Sequence, residues 1–210
     1  MKTLDTTLYF ITDSTCVSEE LFLPVVEAAC KGGATIVQLR EKCKSTREYL
    51  QLAAATHEVT ARYGVPLVID DRVDVALAVG AEGVHVGQAD MPVHLARKLM
   101  GDDKIVGATT KTVPQALEAF RQGADYLGVG AIYPTTTKVK TVLTSVDTLK
   151  DIVKAVSIPV NAIGGLNKDN IFVLEGSGIA GVCAVSAIMK AANPETAARE
   201  LKRAFLDLKG

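Results

Sequence analysis

The sequence predicts an α/β fold, a single (β/α)8 barrel filling residues 1–210 as one domain. Three observations carry that expectation. Eight short β-rich runs alternate with eight amphipathic, Ala- and Leu-rich segments, the pattern of βαβ units around a parallel sheet. The strand candidates are almost continuously apolar, as strands buried on both faces are. No G-x-G-x-x-G follows the first of them, which weighs against a doubly wound open sheet. Eight units within 210 residues leave little room for a second domain and match a compact TIM barrel.

In chain order the strand candidates are "LYFIT" (8–12), "TIVQL" (35–39), "PLVID" (66–70), "GVHV" (83–86), "KIVGA" (104–108), "DYLGVG" (125–130), "IPVNAI" (158–163) and "AGVCAV" (180–185). Helices are expected near 18–31, 45–63, 72–79, 92–100, 113–122, 145–156, 167–176 and 194–208. Ser, Asp, Pro or Asn stands close to several of their starts, where such residues satisfy free backbone N–H groups. A recurring phrase, "KGGAT", "AVGAEGV", "RQGADYL" and "GSGIAGV", places Gly at helix exits. This is C-capping chemistry and reads as punctuation.

Composition narrows the function classes. Lys plus Arg is 23 against Asp plus Glu 24, a net charge of −1, so no global attraction to nucleic acid or membrane is expected. Any anion site must be local. Cys16, Cys30, Cys43 and Cys183 form no C-x-x-C pair, which predicts reduced thiols and no zinc site. The start "MKTLDTTLYFITD" turns acidic before an apolar stretch develops, and no run is long enough to span a bilayer. A cytoplasmic protein is expected, with a homo-oligomer compatible with the sequence.

In such barrels chemistry sits on the loops after the strand C-termini. Those positions hold Thr12 and Asp13; Gln38, Arg40, Glu41 and Lys42; Asp70, Asp71 and Arg72; and Gly87, Gln88 and Asp90. They continue with Thr109, Thr110 and Lys111; Thr135, Thr136, Thr137 and Lys138; Gly164 and Gly165; and Ser186. Asp71 and Asp90 follow adjacent strands, so they can converge on one hard cation such as Mg2+. A structural salt-bridge cluster is the competing reading. Arg40 and Lys42, with Lys138, suit a group carrying several negative charges; a solvated basic face is the alternative. "AIGGL" and "AVSAIM" follow strands seven and eight, where barrels often bind phosphate. Tight turns without a ligand would look the same. Two anion sites in one barrel suggest group transfer from a metal-bound leaving group.

The blocks "LYFITD", "VQLREK", "DRVDVALAVGAEGVHVGQAD", "DYLGVGAIYPTTTK", "NAIGGL" and "AVSAI" together resemble the thiamine-phosphate synthase (thiamine-phosphate pyrophosphorylase) family, in order and over nearly the whole chain. The resemblance implies a barrel enzyme that joins 4-amino-2-methyl-5-hydroxymethylpyrimidine diphosphate to 4-methyl-5-(2-phosphoethyl)thiazole, releasing diphosphate. It also implies Mg2+ at Asp71 and Asp90. Gln38, Leu39, Arg40, Glu41 and Lys42, with Asp70, Thr109 and Lys138, would surround the pyrimidine diphosphate. Arg40, Lys42 and Lys138 would carry the catalytic charge. Thr135, Thr136, Thr137, Gly165, Val185 and Ser186 would receive the thiazole phosphate. Two departures stand out: Asp70 replaces the family's usual Asn, and Lys111 falls where a His is usual. Lys111 is expected to offset Asp70. His85 reads as a hydrogen-bonded structural residue, His57 and His94 as solvent-facing. A thiazole tautomerase-like paralogue and a non-catalytic phosphate-ligand sensor are the rival readings.

Overall fold

The computed structural model describes residues 4–134 and 142–209. Eight parallel strands close into a barrel in sequence order: β1 (Leu8–Ile11), β2 (Ile36–Leu39), β3 (Leu67–Asp70), β4 (Gly83–Val86), β5 (Ile105–Thr110), β6 (Tyr126–Gly130), β7 (Val160–Ile163) and β8 (Gly181–Ala184). Closure comes from β1 against β8, with Tyr9 opposite Cys183. All eight runs lie within a residue or two of the positions read from the sequence.

Alternation along each strand sorts side chains into two cores. Leu8, Phe10, Val37, Leu39, Leu67, Ile69, Leu127 and Val129 face outward into the layer shared with the helices. Tyr9, Ile11, Ile36, Val68, Tyr126 and Cys183 face inward as a second cluster. Period-two geometry requires this division. It also explains why the strands look uniformly apolar: both faces are covered.

The outer layer comprises α1 (Glu19–Lys31), α2 (Thr46–Arg62), α3 (Val73–Val79), α4 (Val93–Met100), α5 (Val113–Arg121), α6 (Val146–Ala155), α7 (Ser186–Met189) and α8 (Pro194–Asp207). Ser45 opens α2 with a full capping box to Glu48, and Thr112, Ser145 and Asn193 cap α5, α6 and α8. Each such cap stabilises its helix by about 1 kcal/mol. No helix among the described residues is long and apolar enough to cross a membrane.

The seventh helix departs from expectation. Residues 167–176 form only a 3-10 segment at Ile171–Leu174. Asn170 Oδ1 accepts from the Asn167 backbone N–H, and Asn167 Oδ1 accepts from that of Asp169. These local bonds satisfy the backbone outside a helix. The short α7 after β8, absent from the eight expected helices, begins at Ser186.

Candidate active site

A cavity of about 360 Å3 opens at the C-terminal mouth of the barrel. One wall is ionic. Asp70, at the end of β3, is only 9 % exposed, and its Oδ2 lies 2.8 Å from Lys42 Nζ and 3.9 Å from Arg40 Nε. Burial raises the Asp70 carboxyl above its ordinary range, and Lys42 and Arg40 only partly counter it. Burial would lower the Lys42 ammonium, but Asp70 and Asp71 outweigh it and hold it high. Arg40 also sits 3.5 Å from Asp13 Oδ2.

Asp71 takes the left-handed conformation, φ 60°, which is uncommon outside glycine and marks a locally constrained backbone. Its N–H donates to the His85 carbonyl at 2.8 Å, while its carboxylate contacts Lys42. Asp90 Oδ2 accepts from Gly87 N at 3.0 Å. Burial raises the Asp90 carboxyl, and its hydrogen bond with Asp71 raises it further. These two carboxylates stand at the ends of β3 and β4 and line the same cavity. Among the described residues no group of three Asp, Glu, His or Cys side chains gathers to hold a metal. The pair fits a hard divalent ion that completes its shell with water and phosphate oxygens. Lys42 contacts Asp71 and Asp70 beside this pair.

The opposite wall comes from the loops after β7 and β8, where Gly165, Val185 and Ser186 line the cavity. Gly164 and Gly165 both have positive φ, 108° and 65°. A Cβ on Gly164 would lie 2.4 Å from Ala131 Cβ, so glycine lets this loop pack against the end of β6.

The floor is a line of polar rings. Gln38 Nε2 donates to Tyr9 Oη at 2.7 Å, and the Tyr9 and Tyr126 hydroxyls lie 2.6 Å apart. Tyr126 Oη is 3.0 Å from His85 Nδ1, and His85 Nε2 is 2.8 Å from Thr109 Oγ1. Gly107 makes room for this floor, because a Cβ there would sit 2.1 Å from Tyr126 Cζ.

A family model described as thiamine monophosphate synthase matches residues 8–188. The chain belongs to that family. A thiamine-phosphate synthase 2 of Streptococcus pneumoniae is 54% identical over 188 residues, covering 90% of each chain. A thiamine-phosphate synthase of Methanobrevibacter smithii is 47% identical over 205 residues, 98% of each. The solved thiamine phosphate pyrophosphorylase from Pyrococcus furiosus superposes with a TM-score of 0.88 at 38% identity, over 99% of this chain and 98% of that one.

As a member of the thiamine monophosphate synthase family the chain is a transferase with a TIM-barrel fold. Gln38, Arg40, Lys42, Asp70, Asp71, Asp90, Thr109, Gly165, Val185 and Ser186 all line the one cavity. Leu39 and Glu41 do not. Leu39 points into the outer core, and Glu41 turns to a neighbouring cleft, accepting from Ser14 Oγ at 2.7 Å. Burial raises the Glu41 carboxyl, with Ser14 opposing. Thr135, Thr136, Thr137 and Lys138 lie outside the described residues. Lys111 does not pair with Asp70; its Nζ donates to the Val142 carbonyl at 3.4 Å, and Lys42 and Arg40 face Asp70 instead. His85 is hydrogen-bonded as expected, whereas His57 pairs with Glu82 at 2.9 Å rather than with solvent alone. Tyr9 and Tyr126 were not legible as part of the site. For Tyr126 the available signal was its register opposite Gly107.

Proposed function

We propose that this transferase works as a thiamine-phosphate synthase, moving the hydroxymethylpyrimidine group from its diphosphate ester to the nitrogen of the thiazole phosphate. The observation that carries the reading is the meeting of Asp71 and Asp90 with Arg40 and Lys42 at one wall of the cavity. Four side chains of that kind suit a diphosphate and its counter-ion.

Arg40 and Lys42 bind the diphosphate oxygens and take up charge as it departs. The methylene C–O bond breaks with its electron pair going to diphosphate. The aminopyrimidine ring spreads the positive charge left on the methylene carbon, and the thiazole nitrogen lone pair then forms the new C–N bond. Asp71 and Asp90 would hold Mg2+, which when bound supplies positive charge to the diphosphate oxygens. Thr135, Thr136, Thr137, Gly165, Val185 and Ser186 are assigned to the thiazole phosphate, and Lys138 to the diphosphate. No protein nucleophile is needed; the chain contributes alignment and charge stabilisation. Residues 1–210 act as one unit on small molecules, in the cytoplasm.

The test is turnover of both purified substrates with Mg2+. Diphosphate release that depends on both supports the proposal. Thiazole phosphate binding without turnover would instead favour a sensor, and turnover of thiazole phosphate alone a tautomerase. Lys138→Ala should lower kcat/KM by orders of magnitude without loss of fold, as charge-stabilising groups do.

A further inference from the structure

The polar floor of the cavity is a chain with a direction. Each member has limited hydrogen-bonding capacity: a phenol has one proton to give, and a neutral imidazole donates from one nitrogen and accepts at the other. Gln38 Nε2 donates to Tyr9 Oη. The Tyr9 proton is then free for Tyr126 Oη, 2.6 Å away. With every phenol proton used inside the chain, Tyr126 sends its own proton to His85 Nδ1. The imidazole proton is thereby placed on Nε2, which donates to Thr109 Oγ1. Keeping every one of these protons in use, the opposite direction requires turning the Gln38 amide and moving the imidazole proton to Nδ1. Burial pushes both phenols well above their usual range, so each keeps its proton.

The packing shows that one position on a neighbouring strand is given over to the Tyr126 ring. Gly107 on β5 has no space for a Cβ beside Tyr126, and a Cβ on Gly128 of β6 would meet His85 Cε1 at 3.4 Å. Three Phe-like rings would fill similar volume without polar groups; a buried hydrogen-bonded network instead specifies one arrangement.

We propose that Tyr9, Tyr126 and His85 are positioning residues that set the polarity of the pocket, turning Gln38 Oε1 toward the cavity as an acceptor and the Thr109 hydroxyl proton toward it as a donor. Gln38 and Thr109 both line the cavity. The inference rests on the proposed function in one respect: an inward acceptor selects an aminopyrimidine through its exocyclic amine, and rejects an analogue that lacks it.

The experiment has two arms. On the free protein, 15N NMR of labelled histidine, with His57→Gln and His94→Gln to isolate His85, should report the Nε2–H tautomer. In Tyr126→Phe, which keeps the ring, His85 should lose that exclusive tautomer. A wild-type proton on Nδ1, or tautomer signals unchanged in Tyr126→Phe, overturns the proposal. In the second arm, calorimetry compares the pyrimidine diphosphate with its analogue lacking the amine. Wild type should favour the amine by roughly tenfold, the worth of one good hydrogen bond, and Tyr126→Phe should lose most of that preference. Equal discrimination by both proteins also overturns it. A wild type that turns over nothing sinks the functional reading alone, since the tautomer is read without substrate.

Discussion

Gly107→Ala tests the geometry of the barrel interior directly. The new Cβ would lie 2.1 Å from Tyr126 Cζ and 2.3 Å from its hydroxyl oxygen, more than an ångström inside ordinary contact. Tyr126 cannot swing aside, because its ring is fully buried and its hydroxyl is held by Tyr9 and His85. Backbone on β5 must move, or the ring must leave its rotamer and break two buried hydrogen bonds. Overpacking costs about 1–3 kcal/mol, and each buried hydrogen bond lost adds about 1 kcal/mol. A penalty of about 3 kcal/mol lowers Tm by roughly 10 °C in a chain of this size. Thermal unfolding followed by circular dichroism measures it. Tyr126→Leu in the same chain removes the clashing atoms, so the double variant should recover at least about 1 kcal/mol relative to the sum of the singles. A Gly107→Ala protein that melts within 2–3 °C of wild type, or a strictly additive pair, would refute the packing argument.

Two further outcomes concern the ionic wall. Asp70 is raised by burial, against Lys42 and Arg40; a carboxyl raised on folding favours the fold fully below its unfolded pKa near 3.9 and loses that contribution as pH rises through the raised value. Asp70→Asn should therefore gain stability relative to wild type between about pH 4 and neutrality, and a Tm difference independent of pH over that range would contradict it. Asp90→Asn removes one of two charges from the proposed cation site, so Mg2+ affinity in the presence of inorganic diphosphate, read by calorimetry, should weaken by at least about tenfold, with unaltered affinity as the contrary result.

The eight strands and their order were legible because Gly at the helix exits and continuous apolar runs are local signals. Asp71 and Asp90 could be paired because barrel closure makes consecutive strand ends neighbours. Leu39 and Glu41 show the limit of reading a motif as a contiguous block. Alternation along β2 sends Gln38 inward and Leu39 outward, and the turn after it carries Glu41 toward Ser14. The partnership of Tyr9 with Tyr126 was out of reach for a different reason. It joins residues 117 positions apart and exists only once the sheet has curved far enough for β1 and β6 to face one another. The missing seventh helix was a contest between Asn side chains and the backbone ladder, which periodicity alone does not decide.

The Tyr9–Tyr126 contact lies on the inner face of the strands, beneath the cavity that Tyr9 helps to line. On the proposed function the pyrimidine sits deepest, against Gln38 and Thr109, and the thiazole phosphate sits nearer the rim. On that arrangement thiazole phosphate bound at the rim stands above the pyrimidine position, so excess thiazole phosphate should slow the cycle.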